Sequence, residues 1–182
     1  MRNPHASTLA GASLVAILAG CAASNVGTNP LVPENLKVPA GQTLSLVSPA
    51  TGVQIYVCSA GKTDPTQFEW SFKAPEADLF DLSGRSKTGK HYAGPTWESD
   101  DGSKVVGEVK ARDDGPNANA IPWLLLSARS TSGNGVFSRT QGIQRLYTVG
   151  GKAPAAGCNR TQLGKEARVA YKATYYFYSA RP

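Results

Sequence analysis

Between positions 67 and 73 the chain runs Gln-Phe-Glu-Trp-Ser-Phe-Lys, with Phe68, Trp70 and Phe72 on one side of an extended backbone and Glu69 and Ser71 on the other. A period of two marks a strand, because successive side chains of a strand point to opposite faces. The pattern recurs from Gln42 onward. Residues 42–48 place Leu44 and Leu46 together, and residues 52–59 separate Val53, Ile55 and Val57 from Tyr56 and Cys58. Further strands are expected over 78–82, 103–111, 122–130, 135–140, 142–149 and 168–178. The last carries Tyr171, Tyr175 and Phe177 on one face and Tyr176 and Tyr178 on the other.

Turn-forming clusters separate these segments, at 83–89, 99–103, 113–119 and 132–135. No window of twelve residues reads as an amphipathic helix, and nothing repeats at a fixed period. Short strands with turns between them predict an all-β, single-domain antiparallel sandwich or barrel, two architectures that share one alternation. The length of 182 residues suits one domain, and a hydrophobic fraction of 41% suits a packed core. The continuous apolar run 122–126 is expected to be a buried strand with Pro122 first. Pro33 and Pro39 predict an extended lead-in over 33–41.

The N-terminus reads as an address. Residues 9–20 are uncharged, follow a single Arg2 and are too short to span a bilayer as a helix. They end Leu18-Ala19-Gly20-Cys21, which resembles the bacterial lipobox, so 1–20 is expected to be a lipoprotein signal peptide and Cys21 the lipidated residue. Acyl chains on Cys21 would hold the protein to a membrane, with residues 21–32 as a flexible tether and 33–182 as the all-β domain. Ala22 after that Cys resembles an outer-membrane sorting signal, pointing to a bacterial cell envelope. Without Arg2 the net charge is 18 − 13 = +5, but the cations are scattered among acids, as on a solvated surface and unlike a nucleic-acid interface.

The two remaining cysteines, Cys58 and Cys158, are most simply a disulfide in an exported domain. The rival reading, a catalytic thiol at Cys58, lacks an evident His partner in the sequence.

Chemistry concentrates in Lys90–Glu98, followed by Ser99, Asp100 and Asp101. His91, Tyr92, Trp97 and Glu98 are the candidate binding residues: an imidazole, a phenol, a carboxylate and an indole arranged around Gly94-Pro95. The competing structural reading is a strand–turn–strand in which Tyr92 and Trp97 fill core and His91 bonds a backbone group. A lone His among acids does not make a zinc site, and the acidic turn lacks calcium-loop spacing, so no metal or other cofactor is expected. Signatures of nucleotide-binding enzymes and serine hydrolases are absent, and no catalytic residue is assigned.

Residues 52–58, 91–99, 101–107, 120–128, 142–158 and 171–178, in this order, resemble the domain-of-unknown-function 3455 family of secreted bacterial and fungal proteins. The resemblance spans roughly 33–178. It implies no activity and transfers no catalytic residue. A dehydrogenase label carried by some members finds no dinucleotide fingerprint here. The pairing of Cys58 with Cys158 fits the family's two Cys-containing motifs.

The leading expectation is an envelope-anchored, non-catalytic module that binds a glycan, a cell-wall fragment or a small amphiphile. One alternative is a secreted hydrolase using His91 with Glu98 or Asp100. The other is a structural envelope protein.

Overall fold

The structure is a computed structural model that describes residues 27–181. The signal segment, Cys21 and the tether up to residue 26 lie outside the described residues. The alternating segments form eight strands: β1 (Gln42–Ala60), β2 (Phe68–Phe80), β3 (Lys87–Tyr92), β4 (Thr96–Ser99), β5 (Lys104–Asp113), β6 (Trp123–Ser132), β7 (Thr140–Gly150) and β8 (Glu166–Ala180). Each pairs antiparallel with the next, and β8 returns to β1, so the sheet closes into an up-and-down barrel rather than a sandwich.

Two strands are longer than the sequence suggests, and both run through a proline. Pro49 lies in β1 before its pairing with β2 begins at Ala50, and Pro75 lies in β2 before its pairing with β3 begins at Ala77. Each proline therefore sits where its strand has one neighbour, and the missing N–H interrupts no second ladder. The expected lead-in contains a short 3-10 turn, Glu34–Leu36.

The strand expected over 135–140 is not formed. Residues 133–139 are a loop, held by the Asp101 carboxylate, which accepts from the Val136 N–H (2.9 Å) and from both N–H and hydroxyl of Ser103 (2.8 and 2.6 Å). Ser103 Oγ in turn accepts from the Phe137 N–H. Burial alone would raise the Asp101 pKa, but these hydrogen bonds outweigh it and hold the carboxyl down at about 2. The latch drives Phe137 into the barrel end against Phe177, with ring centroids 4.7 Å apart. The apolar alternation of this segment reflects a plug, not a strand.

In a meander, successive turns alternate between the two barrel ends. The end closed by Phe137 carries the β2–β3, β4–β5 and β6–β7 connections. The opposite end carries the β3–β4 turn, with a cis Gly94–Pro95 bond, and the long β7–β8 segment. There Cys58, near the end of β1, is bonded to Cys158 across a sequence separation of 100, and the Trp70 indole donates to Gly157 O at 2.6 Å.

Inside, Leu79, Trp97, Val105, Leu126, Phe137, Ile143, Tyr171, Tyr175 and Phe177 form the main core. The lead-in covers part of the outer face, where Leu36 packs with Trp123 and Leu146. Gln144 ties it down by donating from Nε2 to Leu36 O at 2.6 Å. Strand β6 is therefore apolar on both faces because both are covered: Leu124 and Leu126 face the barrel core, Trp123 and Leu125 the second cluster.

Candidate functional site

Strands β3 and β4 are short, six and four residues, whereas their neighbours β2 and β5 run on past them. Residues 68–76 of β2 pair only with β1, and residues 108–113 of β5, beyond the Gly107 N–H bond to Pro95 O, pair only with β6. The barrel wall therefore has a gap above the β3–β4 turn. Beneath it lies a cavity of about 310 Å³.

Seven strands, β2 to β8, and the β3–β4 turn build this cavity. Phe72, Lys73 and Pro75 of β2 stand on one side and Val109 of β5 on the other, with the turn residues Ala93–Pro95 as the sill. His91 and Trp97 form the floor, and Leu124, Leu126, Arg145 and Tyr175 the far wall. Register explains the wall: Leu124 pairs with Arg145 and Arg145 with Tyr175, so three adjacent strands present one row of side chains inward. A bulge in the β1–β2 ladder leaves Lys73 without a partner and returns Phe72 to the inward face. Phe72 and Val109 are 56% and 50% exposed, an apolar rim around the opening.

The four residues singled out in the sequence do not share one surface. His91 faces Trp97 across β3–β4, Lys90 faces Glu98 and Tyr92 faces Thr96. Adjacent strand residues point to opposite sides, so His91 and Trp97 go inward while Tyr92 and Glu98 go outward. Outside, the Tyr92 hydroxyl donates to Glu98 Oε2 at 2.7 Å, and Lys104 and Lys90 approach the same oxygen at 3.4 and 3.6 Å. That hydrogen bond, then the two lysines, lowers the Glu98 pKa. This is a solvated charge cluster. Asp100 lies in the β4–β5 turn, at the opposite end of the barrel from the cavity. An acid–base pair of His91 with Glu98 or Asp100 is therefore not assembled, and the hydrolase alternative loses its geometry.

Inside, the His91 ring stacks on Trp97 with centroids 4.4 Å apart, and both rings meet Tyr175 edge-on. Trp97 is 1% exposed and His91 3%. His91 Nδ1–H donates to Thr96 O at 2.8 Å, the tautomer a carbonyl partner requires. The structural reading thus holds for His91 and Trp97 but fails for Tyr92, which is half-buried on the outer side.

Burial drives the His91 pKa down to about 3; the Thr96 carbonyl opposes this and the Arg145 charge adds to it. The folded value lies below the unfolded one, so the unfolded chain takes up the proton first and acid favours unfolding. Stability should fall below pH 6.5 at up to about 1.4 kcal/mol per pH unit, losing about 2 kcal/mol by pH 5. Ordinary carboxylates titrate below that window, so denaturant unfolding at pH 7 and pH 5 isolates the imidazole. His91→Phe should flatten the difference; equal slopes in both proteins would refute the assignment.

Cys58 is buried and bonded to Cys158, which removes it as a free nucleophile. Among the described residues, no three His, Cys, Asp or Glu side chains are grouped so as to hold a metal ion.

The ordered motifs belong to a recognised group. The family described as Protein of unknown function (DUF3455) matches residues 39–179. The chain belongs to this family. The match takes in all eight strands but for Ala180 at the end of β8, and every residue that lines the cavity. Neither the curated proteins nor the solved structures contain a match to the chain.

The cavity's wall and rim lie outside the segment 90–98 that the sequence singles out. Arg145 carried a signal: it shares the parity of the buried Ile143 in β7, so a charge falls on the inward face. Nothing in the sequence shows that Phe72, Val109, Leu124 and Leu126 meet across the barrel, because that depends on which strands stop short.

Proposed function

We propose that this chain is a non-catalytic binding module of the bacterial cell envelope, held to a membrane through lipid on Cys21, whose ligand is a small amphiphile. The carrying observation is the cavity of about 310 Å³ under the gap above β3–β4. It is concave and largely apolar, with a few polar groups, which is the usual make-up of a small-molecule site. Eight-stranded barrels are either filled by side chains or leave room for one small ligand. Phe137 plugs one end of this barrel, leaving there a groove that mixes inward and outward residues with Asp81, Lys87 and Asp100 at its edge. The other end is hollow and free of acids.

An amphiphile fits better than a glycan or cell-wall fragment. Leucines, prolines and aromatic faces line most of the surface, and a sugar's hydroxyls would find few partners there. The exposed Phe72 and Val109 give an apolar ligand a first contact at the opening. The lipobox-like Leu18–Cys21 and the Cys58–Cys158 bridge support an exported setting, since disulfides persist outside the reducing cytosol.

Thermal unfolding of the full chain against single-chain amphiphiles, glycans and cell-wall fragments tests this reading. A ligand at about 100 times its Kd adds roughly 2.7 kcal/mol, several degrees in Tm. Val109→Trp should block the opening and abolish the shift while leaving the unliganded Tm nearly unchanged, because position 109 is half-exposed. No shift with any amphiphile, or a shift that Val109→Trp leaves intact, overturns the proposal.

A further inference from the structure

The cavity's charge is one-sided. Two cations line it, Lys73 and Arg145, and no acidic residue does. Lys73 is committed elsewhere, its ammonium 2.5 Å from Glu166 on β8. Arg145 makes no ion pair among the described residues; its Nε and Nη2 both donate to Pro122 O, at 3.1 and 2.8 Å. That carbonyl steers the guanidinium without cancelling its charge. The neighbouring groups feel it: the Arg145 charge counteracts the burial that raises the Tyr175 phenol, and adds to the burial that keeps His91 neutral. The aromatic groups around the cavity floor are all uncharged at neutral pH, so Arg145 is the electrostatic feature of its inner wall.

A cation set among Leu124, Leu126, Trp97 and Tyr175 has lost part of its hydration, and that loss is recovered when an anion sits against it. Guanidinium is suited to this role because its planar N–H groups match a carboxylate, and charge-assisted hydrogen bonds are the strong ones. We propose that the cavity selects amphiphiles with an anionic head, a carboxylate held by Arg145, and lays the apolar body against Leu124, Leu126 and Trp97 toward the Phe72–Val109 rim. This rests on the ligand-binding reading above and narrows it to a charge class.

The test uses decanoate and decanol as matched probes, with binding to the full chain measured by calorimetry at pH 7.5. Decanoate should bind roughly tenfold or more tightly than decanol. Arg145→Gln should erase the preference, bringing the decanoate-to-decanol affinity ratio to about one. Arg145→Lys, which keeps the charge and loses the planar fork, should fall between. Equal binding of the two probes to the native chain would overturn the anionic anchor and leave the cavity reading standing. Binding of neither probe would overturn both. If Arg145→Gln does not fold, the native-chain comparison and Arg145→Lys still decide the matter.

Discussion

Trp97→Ala should lower stability by about 3–5 kcal/mol, the range for removing a large buried aromatic, and Tm by roughly 10 °C. The indole is the hub of the inner packing. It stacks on His91, meets Tyr175 and Phe177 edge-on at 5.3 and 6.0 Å, and fits so closely over β5 that a Cβ on Gly107 would lie 2.9 Å from its ring. A hole there joins the existing cavity, so it fills with water more readily than a sealed void, and His91 loses its cover. The variant should therefore also show a smaller loss of stability between pH 7 and pH 5 than the native chain. Trp97→Ala cannot serve as a binding probe, because it damages the floor and the fold together. A Tm within two or three degrees of native would mean that the indole is not the core element its burial implies.

Loss of the disulfide should be the second large effect. Cys58 and Cys158 are 100 positions apart, so the bridge closes a loop that spans β2 to β7. Chain entropy alone gives about 4.7 kcal/mol for a loop of that size, and measured losses in comparable domains run about 2–5 kcal/mol. The double variant Cys58→Ser/Cys158→Ser should accordingly melt roughly 5–15 °C lower. The bridge also pins the segment before β8, where Cys58 N–H donates to Lys165 O and Gly164 N–H to Cys58 O. Proteolysis of the double variant should begin between residues 151 and 165. Unchanged melting on reduction would show that those backbone bonds hold the segment without the bridge.

The all-β class and the bridge were legible because each depends on local or pairwise signals, period-two alternation and cysteine count. The choice of barrel over sandwich was not, since closure is set by β8 meeting β1, a contact between segments more than a hundred residues apart. Alternation misled at Phe137, where a loop latched by Asp101 buries an aromatic side chain without any ladder. It also hid the lengths of β1 and β2, because a proline reads as a stop unless one knows that only one neighbour is present there. At the site, the segment 90–98 concentrates imidazole, phenol, indole and carboxylate in the sequence, but its residues divide between the two sides of a hairpin. The parity of His91 and Glu98 in their paired strands could have exposed this: once the His91–Trp97 register is fixed, Glu98 must face away.

An amphiphile bound in the hollow end of the barrel must touch the cavity floor. Nuclear magnetic resonance of the full chain during a decanoate titration tests this most directly. The three tryptophans supply separate indole signals, Trp70 beside the disulfide, Trp97 on the cavity floor and Trp123 under the lead-in. The largest changes should fall on the Trp97 indole and the methyl groups of Leu124 and Leu126, saturating together, with Trp70 and Trp123 little moved. Saturating changes centred on Trp123 and the outer face, or none on Trp97, Leu124 and Leu126 at any concentration, would contradict the account.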